Sequence, residues 1–334
     1  MGSVGTTIRQ KVLDQHREDP ALGSDLAILL DQAAEVGQAL AREIARAPFS
    51  GRLGSTGERN PTGDAQKKLD LRANELVVQA FSGTGLVAAI LSEEMEEARP
   101  VASGSGANYL LCVDPLDGSS NTDVNGTLGT IFGICRRRET GERAGARGLP
   151  KGSDLVAAGY VLYGPGTLFV YSSGDVVCGF TLDHDRGTFL LTHDGLRCPP
   201  RGHYYSANLG RQRDWHPNIL RFLDYLTDHD PATGRPYSLR YTGALVADLH
   251  RSLIDGGLYF YPADVKARDG KLRLLYECAP LAFLVEQAGG RASTGTGRIL
   301  EVTPRSLHQR TPLVIGSAED VALYEAFLAQ GNPS

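Results

Sequence analysis

Two carboxylates that could hold a metal ion follow a predicted strand over 109–113. The strand leads directly to Asp114, and Pro115 and Gly118 then turn the chain past a second acid, Asp117. Proline fixes φ and glycine adopts backbone conformations that other residues avoid, so the segment presents both acids at one strand end. This arrangement predicts a cation site. For Asp117 and Gly118 alone, a surface Asp-Gly turn is the alternative.

A second acidic pair, Glu93 and Glu94, follows another apolar strand predicted over 86–91. If the two strands are neighbours in one sheet, four carboxylates converge at its edge. A solvated acidic turn is the alternative, because Glu96 and Glu97 continue the charge.

The type of ligand indicates which metal such a site prefers. Carboxylates are hard oxygen ligands, which select Mg²⁺ or Mn²⁺, and Mg²⁺ that keeps water is a usual partner of phosphate chemistry. A calcium-binding helix-loop-helix is excluded. Counting from Asp114, the positions that require Gly and Glu hold Ser119 and Asn125.

Three further acids, Asp64, Asp70 and Glu277, lie near the start of predicted helices, where a carboxylate commonly stabilises the helix dipole. Asp64 and Asp70 also follow a Gly-rich segment, 48–63, which shows neither helical nor strand periodicity and has the composition of a mobile lid. The residues alone leave both interpretations open.

Apolar periodicity predicts the elements that must position these acids. In the first part of the chain, helices are expected over 25–46, with Ser24 as N-cap, and over 64–81. Strands are expected over 86–91, 109–113, 128–135, 156–163, 167–172, 176–182 and 188–192. The second part is expected to hold helices near 215–228, 241–254, 278–288 and 319–329, and strands near 257–261 and 313–316.

The length of 334 residues predicts two α/β lobes packed as one body. Pro and Gly residues over 198–203 mark the expected boundary, which divides the chain into lobes 1–198 and 199–334. The charged segment 139–153 is expected to lie in solvent, away from any site.

Composition excludes several classes of protein. The net charge is −5, and no basic run is longer than Arg136-Arg137-Arg138, so nucleic-acid binding is not supported and a small ligand is expected. Apolar runs are too short to span a membrane, and no signal peptide is recognisable, which predicts a cytoplasmic protein without a membrane partner. The five cysteines are scattered without a CxxC motif, which indicates reduced thiols.

Several ordered motifs between about 25 and 325 resemble those of class I fructose-1,6-bisphosphatases. They are TGDAQKKLD (62–70), LSEE (91–94), DPLDGSSNTD (114–123), GTIFGI (129–134), AAGYVLYG (157–164), RYTGALVADLHR (240–251) and GKLRLLYECAP (270–280). The resemblance implies a layered αβαβα sugar-phosphatase fold and a homotetramer. It also implies metal-dependent hydrolysis of D-fructose 1,6-bisphosphate to D-fructose 6-phosphate and phosphate, in gluconeogenesis or the Calvin cycle.

The same resemblance implies roles for the acids. Two or more Mg²⁺ ions per site, with Mn²⁺ as an alternative, would be held by Glu93, Glu94, Asp114, the Leu116 carbonyl oxygen, Asp117 and Glu277. A metal-activated water would attack the 1-phosphate in line. Asp70 and Glu94 would accept its proton, and Asp64 would assist when the loop closes.

The substrate contacts implied by the resemblance fall into two groups. Asp117, Gly118, Ser119 and Ser120 would contact the 1-phosphate end of the sugar. The 6-phosphate would be held by Asn208, Tyr241, Tyr261, Lys271 and Arg240, the last reaching in from a neighbouring subunit.

One departure from the family concerns substrate choice. Many members have Asn-Glu-Gly-Tyr where this chain has Asn208-Leu209-Gly210-Arg211, so a tyrosine contact is missing and Arg211 is a candidate substitute. Sedoheptulose-1,7-bisphosphatase, or one site for both sugars, is therefore the alternative function. Inositol monophosphatases share Asp-Pro-Leu-Asp-Gly but lack the second-lobe motifs. A non-catalytic descendant would require loss of a metal or base residue, and none is lost.

Regulation is expected to differ from that of animal and chloroplast relatives. Of the AMP-site positions, Tyr109 and Arg136 are retained, but Asn108 replaces a lysine and Ala27 a threonine, which predicts weak AMP inhibition. Residues 139–155 contain no cysteine, which predicts no thioredoxin control through that segment.

Overall fold

Helices and sheets alternate in five layers, α, β, α, β and α, in the computed structural model, which describes residues 5–101, 107–137 and 148–330. This arrangement confirms the expected layered αβαβα class. No helix among the described residues is both long and apolar enough to cross a membrane.

The first helical layer covers one face of a large sheet. It contains α1 (Ile8–Gln15), α2 (Pro20–Ser50) and α3 (Lys68–Ser82). Their apolar sides are buried against the sheet, with Leu26 and Leu69 fully inaccessible to solvent.

In the described chain the large sheet has eight strands. Their spatial order is β10 (Thr188–Leu196), β9 (Val177–Asp183), β8 (Thr167–Ser172), β7 (Leu155–Tyr163), β6 (Leu128–Arg136), β5 (Tyr109–Asp117), β3 (Val87–Ser92) and β4 (Arg99–Pro100). Neighbouring strands are antiparallel except for β3 and β5, which are parallel.

The remaining layers follow on the other face of that sheet. The middle layer contains α5 (Leu245–Asp255) and α6 (Ala279–Gln287). Because α6 lies between two sheets, every residue over 279–285 is buried. The second sheet runs β12 (Ser238–Leu239), β11 (Tyr204–Ser206), β13 (Leu258–Tyr261), β17 (Leu313–Gly316) and β15 (Arg291–Ser293), and the outer layer contains α4 (Pro217–Thr227) and α7 (Ala318–Ala329).

Two short ladders stand outside these sheets. One is the antiparallel pair β1 (Ser55–Arg59) and β2 (Ala65–Lys67), and the other pairs β14 (Leu272–Arg273) with β16 (Arg310–Thr311). The expectation of an irregular segment over 48–63 is therefore wrong. Its first residues continue α2, and cross-strand bonds with 65–67 order the rest as a hairpin.

Several predicted boundaries are also wrong. Helix α2 begins at Pro20, because Asp19 caps it by accepting a hydrogen bond from the Leu22 amide at 3.1 Å, whereas Ser24 lies inside the helix. The helix expected from 64 begins at Lys68, since residues 65–67 pair as a strand. Helix α1 was not predicted from the sequence.

The segment 139–153 can be compared with its expected exposure only in part, since residues 139–147 lie outside the described residues. Within 148–153, Pro150 and Gly152 are buried, so that part does not lie wholly in solvent. A Cβ on Gly152 would approach the Leu300 Cα to 2.7 Å, so this glycine allows close packing against the second half of the chain. All five cysteines are free and buried.

Candidate active site

The two acidic strand ends lie side by side. Strand β3 pairs in parallel with β5, and Ser92 is opposite Val113, so Glu93 and Asp114 continue the two strands at the same edge. The Glu93 amide also donates a hydrogen bond of 3.2 Å to the Val113 carbonyl oxygen. The expected convergence of these carboxylates is confirmed.

The sequence predicts that strand β5 ends before Asp114, but the strand is longer. It continues to Asp117 through a bulge, because the pairing with β6 shifts between these two residues. Inside the bulge, the Leu116 amide bonds to the Asp114 carboxylate at 3.1 Å, and the Thr130 hydroxyl donates to the Pro115 carbonyl oxygen at 2.9 Å. Main-chain groups that a regular strand would pair therefore fix the spacing of the two acids.

Elements distant in sequence complete this cluster. Carboxylate oxygens of Asp114, Asp117 and Glu277 lie within 4.8 Å of one another. Glu277 comes from a single π-helical turn, Leu274–Cys278, that leads into α6, and it accepts a short hydrogen bond from the Arg273 amide. Asp117 accepts bonds from the Leu245 and Val246 amides, at 3.1 and 2.8 Å, at the start of α5.

We call Glu93, Asp114, Asp117 and Glu277 the acidic floor. Burial is the largest cause that raises their pKa values, and repulsion between neighbouring carboxylates adds to it. The pKa of Glu93 is raised to about 8, those of Asp117 and Glu277 to about 7, and that of Asp114 well above its usual range. Buried, mutually repelling oxygen donors are a suitable set for a divalent hard cation such as Mg²⁺.

Two further acids flank the floor. Asp70 lies in the first turn of α3, where its Oδ2 accepts a 2.7 Å bond from the Lys67 amide, while its buried Oδ1 has no partner among the described residues. Burial, with repulsion from Glu94 and Glu93, raises the pKa of Asp70 to about 7. Glu94 is oriented by the side-chain amides of Asn60, at 3.2 Å, and Gln66, at 2.7 Å.

Arg273 connects the floor to the β1–β2 hairpin. Its guanidinium is only 4% exposed; it makes a short ion pair with Asp64 and lies 3.5 Å from Glu93. Burial alone would raise the pKa of Asp64, but the hydrogen bond and positive charge of Arg273 hold it below its usual value. Asp64 is therefore bonded to an arginine that it shares with Glu93 of the floor.

A cavity of about 390 Å³ joins the acids to groups that suit phosphate. Ser119 and Ser120 line it at the start of a 3₁₀ turn, Ser119–Val124, where the first amides of a helical turn are not used internally. Tyr241, Tyr261 and Lys271 also line it, and the Lys271 ammonium lies 5.9 Å from the Tyr261 ring centre. The cavity therefore combines a carboxylate cluster with hydroxyl and ammonium donors.

Comparison with known proteins agrees with this geometry. Residues 6–194 match the family model "Fructose-1-6-bisphosphatase, N-terminal domain", and residues 198–329 match "Fructose-1-6-bisphosphatase, C-terminal domain". The chain belongs to the fructose-1,6-bisphosphatase family. As a member it is an enzyme, a phosphatase of the hydrolase class.

Individual relatives cover nearly the whole chain. A class 1 fructose-1,6-bisphosphatase of Acaryochloris marina is 54% identical over 330 residues, covering 98% of each chain, and one of Chlorobaculum tepidum is 47% identical over 96% of this chain and 97% of its own. Among solved structures, Leishmania major fructose-1,6-bisphosphatase in holo form has a TM-score of 0.91 and 39% identity, over 97% of this chain and 99% of its own. The apo form of that enzyme gives a TM-score of 0.86 and 37% identity.

Three candidate substrate residues of this fructose-1,6-bisphosphatase family member lie outside the cavity lining. The Asn208 side chain hydrogen-bonds to the hydroxyl groups of Tyr241 and Tyr261, which do line the cavity. Arg240 is exposed, bonds the Leu239 carbonyl oxygen at 2.7 Å and packs over Tyr204. Arg211 donates from Nε and Nη2 to the Asp264 carboxylate at 3.1 and 2.9 Å, so its charge is neutralised by a buried acid.

Sequence reasoning missed two buried charged residues at this fructose-1,6-bisphosphatase site, Arg273 and Asp248. Both line the cavity, at 4% and 3% exposure. Each falls within an otherwise apolar stretch, and Asp248 lies three residues after Leu245, on the buried side of α5. A charge at a core position is the signal that could have found them, because such groups are rarely buried without a partner.

Proposed function

We propose that the chain hydrolyses the 1-phosphate of D-fructose 1,6-bisphosphate to give D-fructose 6-phosphate and phosphate, with a divalent metal bound at the acidic floor. The observation that carries this proposal is the pairing, within one cavity, of a buried carboxylate cluster with a separate set of phosphate-binding groups. A substrate with two phosphates has one end for each side.

The metal ligands that we propose are Glu93, Glu94, Asp114, the Leu116 carbonyl oxygen, Asp117 and Glu277. The donor set fits Mg²⁺, or Mn²⁺, and two or more ions per site agree with the number of carboxylates. When bound, such ions lower the pKa of coordinated water and screen phosphoryl charge.

Asp70 is the acid best placed to accept a proton in this reaction. Its Oδ1 has no hydrogen-bond partner among the described residues, and its pKa of about 7 lies near physiological pH, where a general base works efficiently. Glu94, oriented by Asn60 and Gln66, would share this role. Asp64 would contribute only after release from Arg273.

The substrate would lie between the two sides of the cavity. Ser119 and Ser120, with Asp117 and Gly118, would position the 1-phosphate end through amide and hydroxyl donors. Asn208, Tyr241, Tyr261 and Lys271, which we call the phosphate rim, would hold the 6-phosphate. Hydroxyl and ammonium groups bind phosphate without a metal. The bond from the Lys271 ammonium would be stronger than those from the hydroxyls, because both of its partners are charged.

Quaternary structure would complete the rim. Arg240 is exposed and does not line its own cavity, which agrees with a homotetramer in which it reaches a neighbouring subunit's site. We also propose that the enzyme works in the cytoplasm and that the lobe boundary lies near residue 198.

One assay tests the function and its alternative. Phosphate release is measured from fructose 1,6-bisphosphate and sedoheptulose 1,7-bisphosphate with Mg²⁺, for the wild type and for Asp117→Ala and Glu94→Gln. We expect a higher kcat/KM for fructose 1,6-bisphosphate and strong loss in both variants. A preference for the seven-carbon sugar would support the alternative, and normal turnover by both variants would refute the site.

A further inference from the structure

The turn over residues 241–244 touches both sides of the cavity. Its first residue, Tyr241, belongs to the phosphate rim, and directly after it the amides of Leu245 and Val246 bond to Asp117 of the acidic floor. Any movement of this turn would displace groups at both ends of the substrate.

A buried carboxylate, that of Asp248, binds the main chain of this turn. The Thr242 amide donates to both oxygens of Asp248, at 3.0 and 3.2 Å, and Asp248 is only 3% exposed. The Thr242 hydroxyl interacts in turn with Ala244, accepting from its amide and donating to its carbonyl oxygen, each at 3.2 Å. Asp248 thus restrains the backbone between Tyr241 and the start of α5.

The DPLDGSSNTD motif holds the turn from the other side. The Asn121 side-chain amide donates to the Thr242 carbonyl oxygen at 3.1 Å and to the Thr127 carbonyl oxygen at 3.0 Å. Gly118 also packs closely here, because a Cβ at that position would lie 2.6 Å from the Ala244 Cβ. The two peptide groups of Thr242 are therefore fixed by side chains from two different parts of the fold.

We propose that Asp248 is a positioning residue that, together with Asn121, sets the distance between the acidic floor and the phosphate rim. It contacts neither phosphate. Its effect passes through Thr242 to Tyr241 in one direction and through the start of α5 to Asp117 in the other. The inference rests on the proposed bisphosphatase function, since the rim matters only for a substrate with a second phosphate.

A purely structural role makes a different prediction. If Asp248 served only to stabilise the first turn of α5, its removal would lower the melting temperature and leave substrate and metal binding by the folded protein unchanged. A positioning role requires that both the KM for the bisphosphate and the response to Mg²⁺ change together.

The test uses Asp248→Asn in the full-length protein. The KM for fructose 1,6-bisphosphate should rise about tenfold, because the bonds from the Thr242 amide to a charged carboxylate are replaced by a weaker bond to a neutral amide. The Mg²⁺ concentration for half-maximal rate should rise as well, and the gain in melting temperature caused by Mg²⁺ should shrink. Tyr241→Phe, which alters the rim alone, should change only the KM.

Two other variants protect the interpretation. Asn121→Ala removes the hydrogen bond to the Thr242 carbonyl oxygen. Because Asn121 is partly exposed, this variant should fold even if Asp248→Asn does not, and both its KM and its Mg²⁺ response should change. Asp255→Asn, at the solvent end of α5, is the matched control and should behave as wild type.

Unchanged KM and Mg²⁺ response in folded Asp248→Asn or Asn121→Ala would overturn the inference. The proposed function fails separately, if the wild type releases no phosphate from fructose 1,6-bisphosphate. In that event the Mg²⁺-induced melting shift still decides whether Asp248 acts on the acidic floor.

Discussion

The acidic floor and the phosphate rim share one cavity but are built in opposite ways. Three of the four floor residues, Asp114, Asp117 and Glu277, are buried and accept bonds from main-chain amides, and the fourth, Glu93, is 13% exposed. In the rim, Tyr261 is buried and Asn208 is partly buried, but Tyr241 is 39% exposed and Lys271 is exposed. Exposed, flexible donors tolerate replacement better than buried charges do. A substitution in the floor should therefore lower the activity strongly, and one in the rim only moderately.

The largest effect is expected for Glu277→Gln in the floor. The substitution keeps the shape but removes one negative charge and one strong oxygen ligand. Because changes in groups that merely support ligands cost about 10–100-fold, loss of a ligand should lower kcat/KM by at least about 100-fold. Steady-state phosphate release measures this loss. Glu286→Gln, near the end of α6, is the matched control and should retain full activity; equal rates for the two variants would contradict the floor assignment.

A large but more selective effect is expected for Asp70→Asn. The proposed general base is lost while the proposed binding groups remain, so kcat should fall about 100-fold or more with little change in KM. Glu75→Gln, on the exposed side of the same helix, provides the comparison. A raised KM with unchanged kcat would assign Asp70 to binding instead.

A moderate effect is expected for Lys271→Met in the rim. One proposed charged donor to the 6-phosphate is removed, so the KM for fructose 1,6-bisphosphate should rise about tenfold while kcat is retained. Fructose 1-phosphate, which lacks the second phosphate, should show no such change. Lys266→Met removes a lysine from the same loop that instead pairs with Asp214, and serves as control. An equal loss on both sugars would show that the rim does not read the 6-phosphate.

The smallest expected effect is a pH dependence of the free energy of unfolding, which arises from the acidic floor and not from the phosphate rim. In metal-free protein three floor carboxyls, those of Glu93, Asp117 and Glu277, have pKa values raised to about 7 to 8, against about 4 in an unfolded chain. The folded state then binds more protons between these values, so this contribution to stability is lost as pH rises from about 4 to 8. Melting curves in a chelator should show the decline, and Mg²⁺ should reduce it. The same slope with and without Mg²⁺ would contradict a metal-binding floor.

The sequence predicted the floor better than the rim for a physical reason. Acids placed directly after apolar strands must emerge at a sheet edge, and this is why Glu93 and Asp114 were correctly brought together. The bulge that carries β5 on to Asp117 was not predicted, because its partners, the Thr130 hydroxyl and the amides of α5, come from other elements.

Long-range pairing explains the other misses. The β1–β2 hairpin lacks apolar alternation, and it is ordered by cross-strand bonds and by Arg273, which lies more than 200 residues away along the chain. Arg211 shows what else long-range pairing adds. The sequence made it a candidate phosphate contact, which stays a prediction, but could not show that Asp264 is its partner in the fold.

The burial of all five free thiols has a practical consequence. The thiolate is the form that attacks an alkylating reagent. Since all five thiols are buried, and burial raises the pKa of Cys198 to about 11, labelling of the native enzyme should be slow. The rate of alkylation then reports how often the core opens. Ligands that make opening of the core rarer could be ranked by how much they slow alkylation of the cysteines, without any catalytic assay.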